Sequence, residues 1–118
     1  MRIEKETMLE NMERDHVVVL NVLSKNDFKK LHIKGSENYP LTEDTVEFSK
    51  EVVGKYGKGK TFIVYGDRFG LLESYFAAKA LEDHGQKVMN YSAGLQEWYR
   101  AGLPVEGTEA TAKTVGKA

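Results

Sequence analysis

The sequence predicts an α/β protein built as a three-layer sandwich, with a mainly parallel central sheet and helices on both faces. Two runs, VVVLNV at 17–22 and TFIVY at 61–65, are β-branched or aromatic and too apolar to alternate, as expected of strands covered on both sides. KVMNY at 87–91 reads as a third strand, and the segments between the three place apolar residues at helical spacing. Strands that alternate with helices pair in parallel through right-handed crossovers.

The elements follow in order. Met8, Leu9 and Met12 are spaced to share one side of a first short helix, with Glu4, Lys5, Glu10, Glu13 and Arg14 toward water. After the strand at 17–22, Ser24 is placed to cap a brief helix in SKNDFKKLH, and Gly35 and Pro40 mark a loop. Thr42 opens a helix on which Phe48, Val52, Val53 and Tyr56 recur, closed by the glycine and lysine cluster at 54–60. The strand 61–65 runs directly into GDRFG, whose glycines permit an unusual backbone path. LESYFAAKALEDHG then reads as a helix with Leu72, Tyr75, Phe76, Ala80 and Leu81 on one side, ending at Gly85. A last helix in AGLQEWYRAG presents Leu95 and Trp98 and is closed by Gly102 and Pro104. One domain is expected over residues 1–106. Residues 107–118 are small, polar and aperiodic, and are expected to form a disordered tail.

Composition narrows the function. Lysine plus arginine number 17 against 18 for aspartate plus glutamate, so a nucleic-acid or anionic-membrane surface, which needs a basic excess, is not expected. The longest apolar run, 17–20, is far short of the roughly 18 residues of a membrane span. The N-terminus carries acids and no apolar h-region of a secretory leader, so a cytoplasmic location is expected. There is no cysteine, and hence no disulfide, no thiolate metal site and no thiol nucleophile. The three histidines are scattered and no HExxH or acidic metal loop occurs, so neither a metal nor another cofactor is expected.

Three ordered blocks of residues resemble the single-domain rhodanese family, from about the first strand to Val105. The first is Leu20, Asn21, Val22 and Phe28, followed by His32, Ile33, Gly35, Ser36, Asn38 and Pro40. The second is FIVYG with Ser74, Ala77, Ala78, Leu81 and Gly85, similar to the family's active-site strand, loop and following helix. The third is Tyr91, Gly94, Trp98 and the run AGLPVE. The resemblance implies a rhodanese-like fold and places the sulfur-accepting cysteine directly after the active-site strand, where this chain has Gly66. Relatives with a loop of this length that carry a cysteine farther along imply a second position, here Leu71. The family's usual first-strand aspartate is Asn21, and the first glycine of its late pair is Ala93.

Rhodanese chemistry needs a thiolate that takes up a sulfane sulfur and holds it as a persulfide. Glycine has no side chain for this, and methionine thioethers have no proton to lose, so sulfur transfer by the family's route is not expected. What remains is an anion cradle without its nucleophile, formed by Gly66, Asp67, Arg68, Phe69, Gly70 and Leu71. The N–H groups of residues 67–72 are expected to converge in front of the next helix, with Arg68 adding donors and Asp67 partly cancelling its charge. The leading reading is a binding module for a protein partner or a small anion such as sulfate, phosphate or thiosulfate. Two alternatives stand beside it: an active-site variant of a working sulfurtransferase, and an enzyme reusing the pocket through Asp67, Arg68, Glu73 or His32. His32 is expected to bond to backbone rather than to move protons, and His16 and His84 to be surface or capping groups. Most of Tyr65, Phe69, Tyr75, Phe76, Trp98 and Tyr99 are expected in the core.

Overall fold

The computed structural model describes residues 1–110. In chain order the elements are α1 (Lys5–Asn11), β1 (Val17–Asn21), α2 (Lys25–Lys30), β2 (His32–Ile33), β3 (Glu37–Asn38) and α3 (Thr45–Tyr56). There follow β4 (Thr61–Tyr65), α4 (Glu73–Asp83), β5 (Lys87–Tyr91), α5 (Gly94–Arg100) and β6 (Val105–Glu106). The main sheet has the order β3-β1-β4-β5 and every pairing in it is parallel, with Val17 opposite Thr61 and Thr61 opposite Lys87. A separate two-stranded antiparallel ribbon joins β2 to β6.

The sheet's two faces own separate cores, because successive side chains on a strand point to opposite sides. Val19, Ile63, Tyr65, Met89 and Tyr91 meet Met8 of α1 together with Leu95 and Trp98 of α5. Val18, Leu20, Phe62, Val64 and Val88 meet Phe48 and Val52 of α3 and Ala77, Ala78 and Leu81 of α4. This is the three-layer sandwich that the alternation of strands and helices implies. The chain's first residues extend the sheet past β5: Ile3 N–H donates to Asn90 O at 2.9 Å and Asn90 N–H to Met1 O at 2.7 Å.

Ser24 caps α2 as expected, its hydroxyl accepting from Asp27 N–H at 3.1 Å. Three expectations need correction. The third helix starts at Thr45 rather than Thr42, because the Asp44 carboxylate takes the capping bond from Glu47 N–H at 3.0 Å. On α1 Met8 is buried but Leu9, expected on the same side, is 46% exposed. On α4 the expected apolar side is displaced: Ser74, Ala77, Ala78, Ala80 and Leu81 face the sheet, while Leu72, Tyr75 and Phe76 face outward. Small side chains let this helix lie close to the strands, and the aromatic side chains are turned away as a result. Beyond β6, Thr108 N–H donates to Lys29 O and Glu109 N–H to Lys30 O, each at 2.9 Å, and Ala110 is buried in the first core. The rest of the expected tail, residues 111–118, lies outside the described residues.

A buried polar joint locks the stretch 32–38 to the sheet. Asn21 and Tyr65 are fully buried on adjacent strands, and Asn21 Nδ2 donates to the Tyr65 hydroxyl at 3.0 Å. Ile33 N–H donates to the same oxygen at 3.0 Å. Ser36 gives its own hydroxyl proton to Ile33 O, so the 2.7 Å contact between Ser36 and Tyr65 has the tyrosine as donor. The phenol thus accepts two bonds and gives one, its full complement. Asn38 completes the joint by donating to Leu23 O at 2.9 Å.

Candidate functional site

The segment 66–72 links the end of β4 to α4, and its position is set by the start of α5. Leu95 N–H donates to Gly66 O at 3.0 Å, and Gln96 N–H to Asp67 O at 2.9 Å. The Gln96 side chain adds a bond from Nε2 to Asp67 Oδ1 at 2.9 Å. This close approach needs a glycine at 94, where φ is +79° and a Cβ would sit 2.8 Å from Arg68 N. Within the segment only Gly70 adopts a left-handed backbone, with φ of +97°. Gly66 lies in ordinary backbone space, so its lack of a side chain serves another purpose.

That purpose is steric. A Cβ on Gly66 would lie 2.6 Å from Glu73 Oε1 and 2.8 Å from Glu73 Cγ. The first residue of α4 therefore folds its carboxylate back over the place where the resemblance puts a cysteine. Asp67 N–H donates to the same Oε1 at 3.3 Å, and the acid sits favourably at the positive end of the helix. The loop already holds an anion, and it belongs to the chain. Of the other amides expected to converge, Leu71 N–H makes a long 3.4 Å bond to Arg68 O.

Beside the loop lies an open cleft of about 540 Å³ with an apolar floor of Val22, Leu31, Leu41, Leu71 and Leu95. Its charged lining is Asp27, Asp67, Glu73 and Glu109 against the single cation Lys30. The structure therefore gathers Gly66, Asp67, Leu71 and Glu73 in one place. Arg68 is exposed and does not line the cleft, and Phe69 is exposed with the Arg2 guanidinium 5.0 Å from its ring centroid. Leu71 and Leu72 are exposed as well, as are Tyr75 and Phe76 in the first turn of α4, whose ring centroids are 5.4 Å apart. Asp27 of α2, Gly94 and Gln96 of α5, and Glu109 beyond β6 complete the site. Sequence reading missed their roles because nothing local ties them to the loop.

His32 stands apart from this site. Its Nδ1 bonds Phe28 O at 2.6 Å, its ring stacks on Phe28 with centroids 3.7 Å apart, and Nε2 lies 3.6 Å from Glu106. Tyr65 and Trp98 are core residues as expected, whereas Phe69, Tyr75 and Phe76 are not. Among the described residues no group of three His, Cys, Asp or Glu side chains is placed to hold a metal ion. No helix among them is long and apolar enough to cross a membrane.

Residues 4–101 match the model of the rhodanese-like domain. The chain belongs to the rhodanese-like family. Solved structures agree on the fold. A Bacillus halodurans protein superposes with a TM-score of 0.80 at 18% identity, over 92% of this chain and 77% of its own. A Lactobacillus plantarum protein gives a TM-score of 0.74 at 27% identity, covering 90% and 87%. A thiosulfate sulfurtransferase from Pseudomonas aeruginosa gives 0.68 at 20% identity, over 92% of this chain but only 19% of that one. No curated protein matches the sequence significantly. This rhodanese-like domain contains no cysteine, and with it lacks the group on which typical sulfurtransferase activity depends.

Proposed function

We propose that this rhodanese-like domain is a non-catalytic module that recognises a protein partner at the face made by loop 66–71 and the first turn of α4. The observation that carries this reading is the run of exposed apolar side chains there: Phe69 is 64% exposed, Leu72 59% and Tyr75 51%, with Leu71 and Phe76 beside them. Five large apolar side chains exposed within eight residues are unfavourable to leave in water, and aromatic side chains supply the anchors of many interfaces. The neighbouring cleft adds a polarity. Four carboxylates around an apolar floor suit a partner segment that brings a cationic side chain along with its apolar ones.

The same geometry weighs against the other ligand class considered for the loop. Sulfate, phosphate or thiosulfate would have to displace the Glu73 carboxylate from Asp67 N–H and then sit among acids. The test compares the two directly. A partner isolated with the wild-type domain and reconstituted from purified components should bind a Phe69→Ser/Phe76→Ser variant about a hundredfold more weakly, since two aromatic anchors are lost. Unchanged affinity would overturn the partner reading. Saturable amide shifts at residues 67–72 on adding thiosulfate, with none from the partner, would favour the anion instead.

A further inference from the structure

The opposite end of the sheet carries a second cleft, of about 460 Å³, where His16 precedes β1 and the turns before β4 and β5 come together. Five-residue strands separate it from loop 66–71 by about 15 Å, so it is independent of the site described above. Its ionisable lining is Lys58, Lys60 and Lys87 with His16 and His84, and no carboxylate.

These cations are not engaged by the protein itself. Among the described residues none of the three lysines forms an ion pair, and Lys60 Nζ reaches only Asp15 O at 3.5 Å. Helices α3 and α4 end here, and main-chain N–H groups cap their last turns: Gly57 donates to Val53 O, Gly85 to Glu82 O and Gln86 to Leu81 O. The lysines are therefore not needed as caps. The N–H groups of Gly59 and Lys60 have no partner among the described residues. His84 is oriented as well. Ser49 gives its hydroxyl proton to Val46 O at 2.8 Å, so the 2.7 Å contact with His84 is a bond donated by Nδ1. This leaves Nε2 as the ring nitrogen not engaged in that bond.

We infer that this cleft binds a multiply charged oxyanion of the phosphate class. Three lysines lining one hollow with no carboxylate among its lining residues favour the entry of several negative charges, and two of the lining residues, Gly59 and Lys60, bring unpartnered backbone donors. The test uses the full chain at low ionic strength, titrated with pyrophosphate and followed by amide chemical shifts. Shifts are expected at Gly59, Lys60, Gly85 and Lys87 and not at residues 66–72. A Lys58→Gln/Lys60→Gln variant should bind about tenfold more weakly or worse, while Lys25→Gln/Lys29→Gln, on α2, should bind normally. A phosphoserine peptide titrated in parallel assigns the source: tighter binding of the peptide at these residues points to a phosphorylated protein, tighter binding of pyrophosphate to a free phosphate compound. No shift by about 10 mM of either probe, full affinity in the Lys58→Gln/Lys60→Gln variant, or equal loss in the α2 variant would overturn the proposal.

Discussion

Placing a thiol at position 66 tests whether Glu73 fills the place where the resemblance puts a cysteine. In a Gly66→Cys variant the new side chain would start 2.6 Å from Glu73 Oε1, so the carboxylate must swing away and give up its bond to Asp67 N–H. That bond, to a partly exposed carboxylate, is worth about 1 kcal/mol, and Gly66→Cys should fold with a stability loss of that order. The displaced carboxylate stays on the same helical turn, within several ångströms of the sulfur. At an effective dielectric of about 20, two like charges 4 Å apart repel by about 4 kcal/mol, and exposure of Glu73 to solvent reduces this to roughly 1–2 kcal/mol. Since about 1.4 kcal/mol is one pKa unit, the Gly66→Cys thiol should ionise about one unit higher than the same thiol in Gly66→Cys/Glu73→Gln. The wild-type chain has no cysteine, so the rate of alkylation by iodoacetamide against pH reads this group alone. Glu73→Gln keeps the side-chain shape and removes the charge, which separates electrostatics from crowding. Equal thiol pKa values in the two variants, or a single variant already as acidic as a thiol at an open helix N-terminus, would show that Glu73 does not fill the loop.

Three further outcomes follow from the packing. Tyr65→Phe removes the acceptor of two buried donors, Ile33 N–H and Asn21 Nδ2, and should cost about 2–4 kcal/mol in urea unfolding. A loss below about 0.5 kcal/mol would mean the joint is not closed as described. Gly94→Ala places a Cβ against the backbone of Asp67 and Arg68 at a positive φ, and should cost about 2–4 kcal/mol while shifting the amide resonances of residues 66–68. Burial, followed by the hydrogen bond to Glu97, raises the pKa of the Tyr91 phenol, and burial with a bond to Glu37 raises that of Tyr56. Unfolded tyrosine ionises near pH 10, so the unfolded state loses these protons first, and stability should be level below about pH 10 and fall above it. Tyr91→Phe should flatten that alkaline fall, and an equally steep fall in the variant would contradict the assignment.

The long elements were legible because their signals are local. A β-branched run between polar turns identified β1 and β4, and the serine cap of α2 lay where its spacing put it. The two-residue strands β2, β3 and β6 were not legible, since each exists only through pairing with a distant segment. Helix α4 shows a different limit. Apolar spacing marks a stripe, but Leu72, Tyr75 and Phe76 compete with Ala77, Ala78 and Leu81 for it, and the distance between helix and sheet decides. At the site, the lack of any thiol could be read from a sequence without cysteine. The carboxylate that lies over Gly66 could not, because Glu73 reads as an ordinary acid in the first turn of a helix until its side chain is seen turned back on the loop.

The first three residues, ahead of α1, have a bearing on how this domain behaves as a population of molecules. By bonding to Asn90 on both its N–H and its C=O, they cover the outer border of β5, and they are held there by buried Ile3, by Arg2 over the Phe69 ring and by exposed ion pairs with Glu4 and Glu82. A strand border stripped of such a cover is a template for any other extended chain. Proteolysis or mild heating that frays residues 1–3 would therefore bare that border and withdraw Ile3 from the first core, turning a self-contained domain into one that recruits its neighbours strand to strand.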